Sequence, residues 1–274
     1  MVKNPQSDVD AYSPASIAER VEQVGAAKAN TPLIQMIMLG MLAGAFIGFG
    51  ALANNLVLSD PFSSIAATRM LGGAVFSLGL MLVVIAGAEL FTGNNLVVMA
   101  YVDGRISSRS LLRNWVVVLF SNFAGAIFLA WLVWMSGHGE LLSGKVGERL
   151  IATAQSKCLL SADRAFFSGI LCNVLVCLAV WMTFAGRTVT DKLLAILFPI
   201  TVFVAAGFEH SIANMFIFPL AWLLQQDPLF SNTNNVVSLS GMVHNLLPVI
   251  AGNLVGGGIF VGLVYYMVYG RKPK

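Results

Sequence analysis

The polar and ionisable residues that stand inside apolar stretches of this sequence fall into two matching groups. Ala86-Gly87-Ala88-Glu89 is followed by Asn94, and Ala206-Gly207-Phe208-Glu209 by Asn214. Both read A-G-x-E-x4-N, and Glu89 and Glu209 are 120 residues apart. A charge at the centre of a membrane helix costs roughly 2.5–3.5 kcal/mol on insertion scales. Such a carboxylate could coordinate an ion or handle a proton. It could also accept hydrogen bonds from N–H groups freed where its own helix breaks. Symmetric placement favours that structural use. His210 is the only histidine well inside a hydrophobic stretch. Histidine titrates near neutral pH, so His210 could attract an anion and give it a proton. Thr92 occupies the position that matches Ile212, and its hydroxyl could cap a half-helix or bond a passing solute. Asn94, Asn122, Asn173, Asn214 and Asn253 also lie within apolar runs. Intramembrane asparagine more often joins helices than binds substrate. Asn173 and Asn253, with small neighbours, are the better pore candidates.

Enzyme chemistry fares poorly. Ser211 follows His210 directly, so the two side chains diverge on a helix and form no nucleophile–base pair. No HExxH, CxxC or acidic pair of metal spacing stands in the apolar runs. Haem would want facing histidines from two spans, and one is deep. No catalytic residue, metal or cofactor is expected. Cys158, Cys172 and Cys177 do not suggest a disulfide framework, and two of them read as small hydrophobes in an apolar run.

The elements that carry these residues follow from composition. The chain has 274 residues, 57% of them hydrophobic and only 11% charged. Ordinary soluble domains carry about 25% charge. No water-soluble globule of this length hides so much apolar surface. A cytosolic enzyme, a nucleic-acid-binding domain and a disordered chain are excluded. The net charge of +3 is too small to argue for an acidic partner. The chain is an all-α polytopic membrane protein, with the lipid bilayer as its solvent.

A spanning helix needs about 20 apolar residues. Leu33–Ala53, Trp115–Met135, Ala165–Ala185 and Leu246–Tyr269 each fit one span. Met70–Val102 and Leu193–Leu224 are too long, since each would reach about 50 Å as a straight helix. Thr92-Gly93-Asn94-Asn95 and Glu209-His210-Ser211 interrupt them, so spans two and five of six are read as broken. Eleven Lys and Arg fall on one side: Lys3, Arg20, Lys28, Arg105, Arg109, Arg113, Arg187, Lys192, Arg271, Lys272 and Lys274. Five fall on the other: Arg69, Lys145, Arg149, Lys157 and Arg164, four of them in one long loop. Both termini should face the cytoplasm. Residues 1–31 form a cytoplasmic segment. Ser13-Pro14 starts an amphipathic helix there, lying at the membrane interface, with Ile17, Val21 and Val24 on its apolar face. Residues 32–270 form one transmembrane domain, and 271–274 a cytoplasmic tail.

The domain repeats itself. Asn122-Phe123-Ala124-Gly125 matches Asn253-Leu254-Val255-Gly256 at an offset of 131, and Gly40-Met41-Leu42 matches Gly169-Ile170-Leu171 at 129. With the carboxylate motifs, this gives a three-plus-three duplication over about 32–136 and 164–270. Three spans is an odd number, so the second copy lies inverted. Inverted repeats with broken spans in matching positions point to a transport site near the midplane. Half-helix N-termini aimed there would favour a small anion.

These residues resemble the formate/nitrite transporter family. Ala86 to Asn94 is similar to its first signature, and Gly207-Phe208-Glu209-His210-Ser211-Ile212-Ala213-Asn214-Met215 matches its second. Cys172 to Met182 is similar to its fourth span, and Asn245-Leu246-Leu247-Pro248 with Gly252-Asn253 to its sixth. The similarity runs from about Ser13 to Tyr269. It implies an aquaporin-like homopentamer in the inner (cytoplasmic) membrane, with one pore per protomer. Small monovalent anions would pass with or without protons: formate first, with nitrite, hydrosulfide, acetate or lactate as alternatives. By position, His210 would be the central pore histidine and Thr92 its partner. Phe76, Leu80 and Phe203 would ring the periplasmic constriction, and Leu90 and Phe91 would line the cytoplasmic slit. Lys157 would attract anions, and Ser13–Lys28 would match a proposed gating helix. Glu89 and Gly93-Asn94 depart toward nitrite channels; Phe208 and Phe76–Leu80 lean back toward formate. A neutral-solute pore or a non-transport membrane subunit are the readings from other classes.

Overall fold

The computed structural model describes residues 10–230 and 237–270, and these are built of helices joined by short turns. Lys3 and the tail residues Arg271, Lys272 and Lys274 lie outside the described residues. Helix α1 spans Pro14–Ala29, α2 Leu33–Ser59, and α3 Ile65–Gly87. A 3₁₀ turn over Gly93–Val97 leads into α4, Val98–Val102. Then follow α5 Ser108–Met135, α6 Lys145–Cys158, α7 Ala162–Thr183, α8 Val189–Ala206, α9 Ser211–Leu224 and α10 Leu239–Tyr269. Six of these, α2, α3, α5, α7, α8 and α10, are long and apolar enough to cross a bilayer.

Helix starts follow local capping chemistry. Ser13 accepts from the Ser16 N–H with Pro14 at the first turn, Ser107 accepts from Ser110 N–H, and Ser238 from Gly241 N–H. Thr188 and Asp191 form a reciprocal capping box on α8. These caps extend α5, α8 and α10 beyond the purely apolar runs, so their first turns are polar. Helix α2 runs six residues past Ala53, because Asn55 is buried with its amide donating to the Val146 carbonyl at 3.1 Å.

Two elements differ from expectation. The long loop before the fourth span contains α6, whose Val146, Leu150, Ile151 and Ala154 are buried at helical spacing. Helix α1 does not keep its apolar face for lipid. Ile17, Ala18 and Val21 are buried in one cluster with Leu96, Met99 and Val261. A Cβ on Gly25 would stand 3.2 Å from Ala100 Cβ, so α1 and α4 touch closely.

The main packing pairs are α2 against α5 and α7 against α10. Both depend on glycine at the crossing. A side chain on Gly125 would strike the Met41 carbonyl, and one on Gly256 the Ile170 carbonyl.

Candidate functional site

Gly87 and Gly207 have positive φ, +85° and +78°, and each ends a helix. That backbone suits glycine, so the glycine repeated in the two A-G-x-E motifs has a conformational reason. Gly93, expected as a break residue, instead starts the 3₁₀ turn that resumes the chain. Beyond each glycine some backbone groups leave the helical ladder; Glu89 N–H finds the Leu39 carbonyl at 3.2 Å, and side chains supply several other partners. Asn122 Nδ2 donates to the carbonyls of Gly40 and Glu89, both at 2.8 Å, and its Oδ1 accepts from Phe91 N–H at 2.9 Å. Asn253 Nδ2 donates to the carbonyls of Gly169 and Glu209 at 2.8 and 3.1 Å, and its Oδ1 accepts from Ser211 N–H at 3.0 Å. The two amides do the same work at the two breaks.

The carboxylates do not accept the freed backbone N–H groups, as the sequence reading had it; their partners are side chains. Lys28 Nζ donates to Glu89 Oε1 at 2.9 Å, and Asn94 Nδ2 to Glu89 Oε2 at 2.6 Å and to Asn114 Oδ1 at 3.0 Å. Lys157 Nζ donates to Glu209 Oε1 at 2.7 Å, and Asn214 Nδ2 to Glu209 Oε2 at 2.7 Å and to Asn245 Oδ1 at 2.8 Å. Asn114 then donates to the Lys28 carbonyl and Asn245 to the Lys157 carbonyl. Each buried carboxylate is thereby paired and satisfied, which its burial requires. Lys28, Asn114 and Asn245 were missed as site residues. The signal was present: Lys28 to Lys157 repeats the 129 offset, and Asn114 to Asn245 the 131 offset.

His210 caps α9, with Nδ1 accepting from Ala213 N–H at 3.1 Å. Its Nε2 lies 3.1 Å from Thr92 Oγ1. Because Nδ1 is an acceptor, the neutral ring carries its hydrogen on Nε2 and donates to Thr92. Thr92 thus joins the other break and caps nothing itself. Its carbonyl accepts from Asn173 Nδ2 and from Cys177 Sγ, both at 3.3 Å. Phe203 stacks on His210 with centroids 5.8 Å apart, and Phe76 meets Phe203 edge-on at 5.6 Å.

Two cavities approach this group. One, of about 580 Å³, is lined by Lys28, Leu80, Glu89, Leu90, Gly93 and Asn94, among others. The other, of about 680 Å³, holds Phe76, Lys157, Phe203, Glu209, His210 and Asn214. Along α3, Ile65 to Phe76 face the second cavity and Leu80 to Gly87 the first. The cavities therefore lie toward opposite ends of that helix, with Phe76 at the inner end of one and Leu80 at the inner end of the other.

The remaining expected site residues are placed as follows. Asn173 and Asn253 line neither cavity; both are fully buried, Asn173 Nδ2 donating to the Thr92 and Asn253 carbonyls and to Asn95 Oδ1, and Asn253 Nδ2 to the Gly169 and Glu209 carbonyls. Phe91 is 2% exposed and also lines neither. Lys157 reaches the second cavity, but its charge is answered by Glu209.

Six apolar spans, with a buried Thr92–His210 pair of which His210 lines the second cavity and Thr92 lines neither, define a polytopic helical membrane protein. The family model for formate/nitrite transporters matches residues 15–267, and the chain belongs to that family. It is 40% identical over 267 residues to formate channel FocA of Haemophilus influenzae, covering 92% of this chain and 93% of that one. It is 37% identical over 277 residues to formate channel FocA of Escherichia coli, with 96% of each chain covered. A solved structure described as a pentameric formate channel with formate bound is similar at a TM-score of 0.79 and 38% identity, covering 87% of this chain and 98% of that one.

Proposed function

We propose that this protein is a channel for small monovalent anions, formate foremost, and that His210 protonates the anion as it passes. One observation carries the reading: two cavities reach, from opposite ends of α3, a barrier of Phe76, Leu80 and Phe203 beside the Thr92–His210 pair. A bare anion among those rings would be costly. A neutral acid would not be. The Ala213 contact supplies a reason for the proton to leave His210. A second proton on Nδ1 would point at the Ala213 N–H and end the α9 cap; the cap returns once the ring is again neutral with its hydrogen on Nε2 and Nδ1 bare.

The duplicated hydrogen bonds at Glu89 and Glu209 support two halves related by inversion, with the α1 side cytoplasmic and the α6 side periplasmic. The excess of Lys and Arg on the α1 side supports cytoplasmic termini and the inner membrane. Likeness to a pentameric channel supports a homopentamer with one pore in each protomer. Nitrite, hydrosulfide and acetate are the other candidate permeants.

The test is uptake of formate, nitrite, hydrosulfide and acetate into liposomes holding the purified protein, each at two pH values. Formate should pass fastest and more readily at the lower pH. His210→Phe should flatten that dependence. Flux indifferent to pH would point instead to a neutral-solute pore, and absence of all flux to a non-transport subunit.

A further inference from the structure

The second cavity holds two more cations that no role above uses. Arg69, on α3, and Arg149, on α6, both line it, and both are exposed. Among the described residues neither makes an ion pair within 4.0 Å. Lys157 differs: its ammonium is bound to Glu209, and only 16% of its side chain is exposed. The cavity's uncompensated charge is therefore that of the two arginines. Asp60 and Glu148, the carboxylates nearest to them in sequence around α2 and α6, line no part of it.

Their placement is ordered. Arg149, Thr153, Ser156 and Lys157 recur at helical spacing and face the cavity together, while Val146, Leu150 and Ala154 on the other side of α6 are buried. Arg69 reaches the break itself. A Cβ on Gly207 would stand 2.7 Å from Arg69 Nη2, so the guanidinium lies against the residue that opens the path to Glu209 and His210. Two free guanidiniums in a cleft with apolar walls raise the local anion concentration. Guanidinium also matches carboxylate in geometry and is never deprotonated.

We propose that Arg69 and Arg149 form an anion-capture site ahead of the Phe76–Phe203 barrier, and that it binds small dianions of the oxalate class as competitive blockers. The blocking part relies on the protonation reading above. One proton from His210 neutralises formate, but leaves oxalate with a charge that the aromatic ring rejects. Oxalate would then occupy the site without passing.

Oxalate binding to purified protein in detergent, followed by calorimetry, tests the site without any flux. The wild type should bind; Arg69→Gln with Arg149→Gln should need roughly tenfold more oxalate. The Arg69→Lys, Arg149→Lys protein keeps both charges and should bind, and it guards against loss of fold. In liposomes, oxalate should raise the apparent KM for formate without changing the maximal rate, and less so in the Gln protein. Equal oxalate binding by wild type and Gln protein, or none by the wild type, would overturn the site. Binding with no effect on formate uptake would overturn the blocking role alone. Absence of formate uptake with intact oxalate binding would instead sink the channel reading.

Discussion

His210 Nε2 stands 3.1 Å from Thr92 Oγ1, and the two residues are 118 apart in the chain. Each follows a different A-G-x-E motif, so this contact joins two segments distant in the chain. Neither residue is free to move alone: Thr92 is held through its carbonyl by Asn173 and Cys177, and His210 by Ala213.

Thr92→Val keeps shape and removes the hydroxyl. The lost hydrogen bond, about 1 kcal/mol, should lower formate flux roughly fivefold with helix content unchanged. Liposome uptake beside circular dichroism checks it; undiminished flux would remove Thr92 from the passage.

Asparagine is as good a helix cap as any residue, but it does not titrate. His210→Asn should therefore give a stable protein whose uptake no longer rises from pH 7.5 to pH 5.5. His210→Phe should lose both the cap and the pH response. Melting temperatures and uptake, measured on the same samples, separate the two roles. A retained pH response in the Asn protein would contradict the proton hand-over.

The two lysine–glutamate pairs differ in exposure. The side chains are 16% and 5% exposed for Lys157–Glu209, against 28% and 9% for Lys28–Glu89. Lys157→Met strands a more deeply buried carboxylate, at a cost of about 3–5 kcal/mol. Lys28→Met should cost less. Adding Glu209→Gln to Lys157→Met should recover part of the loss. Thermal unfolding in detergent decides it, and equal loss for both lysine variants would contradict the ranking.

His138 lies in the turn between α5 and α6, where burial pulls its pKa below the usual value and Nε2 has no hydrogen-bond partner among the described residues. The folded state thus resists the proton that the unfolded chain accepts below about pH 6.5. Stability should fall as pH drops through that value. His138→Gln should shrink the fall in melting temperature between pH 7.5 and 5.5. An unchanged fall would assign the acid sensitivity elsewhere.

Amino-acid order alone places this protein in a membrane and shows where its polarity gathers. Spanning a bilayer needs about 20 apolar residues in a row, and that demand is written locally. It holds for all six spans and for the two A-G-x-E motifs, whose glycines must turn the backbone. Helix α6 escaped notice because half of its face is polar and so does not read as a span. What each polar residue serves emerges from the packing of the helices. Lys28 reaches a carboxylate 61 residues away and Lys157 one 52 away, so neither pairing follows from local pattern. Asn173 and Asn253, pore candidates by their neighbours, are consumed by broken backbone. Arg69 and Arg149, plain loop and helix-end charges in the sequence, share a cavity with His210. Hydrogen bonds and charges act over a few ångströms, and which atoms come that close is settled by the packing of helices distant in the chain.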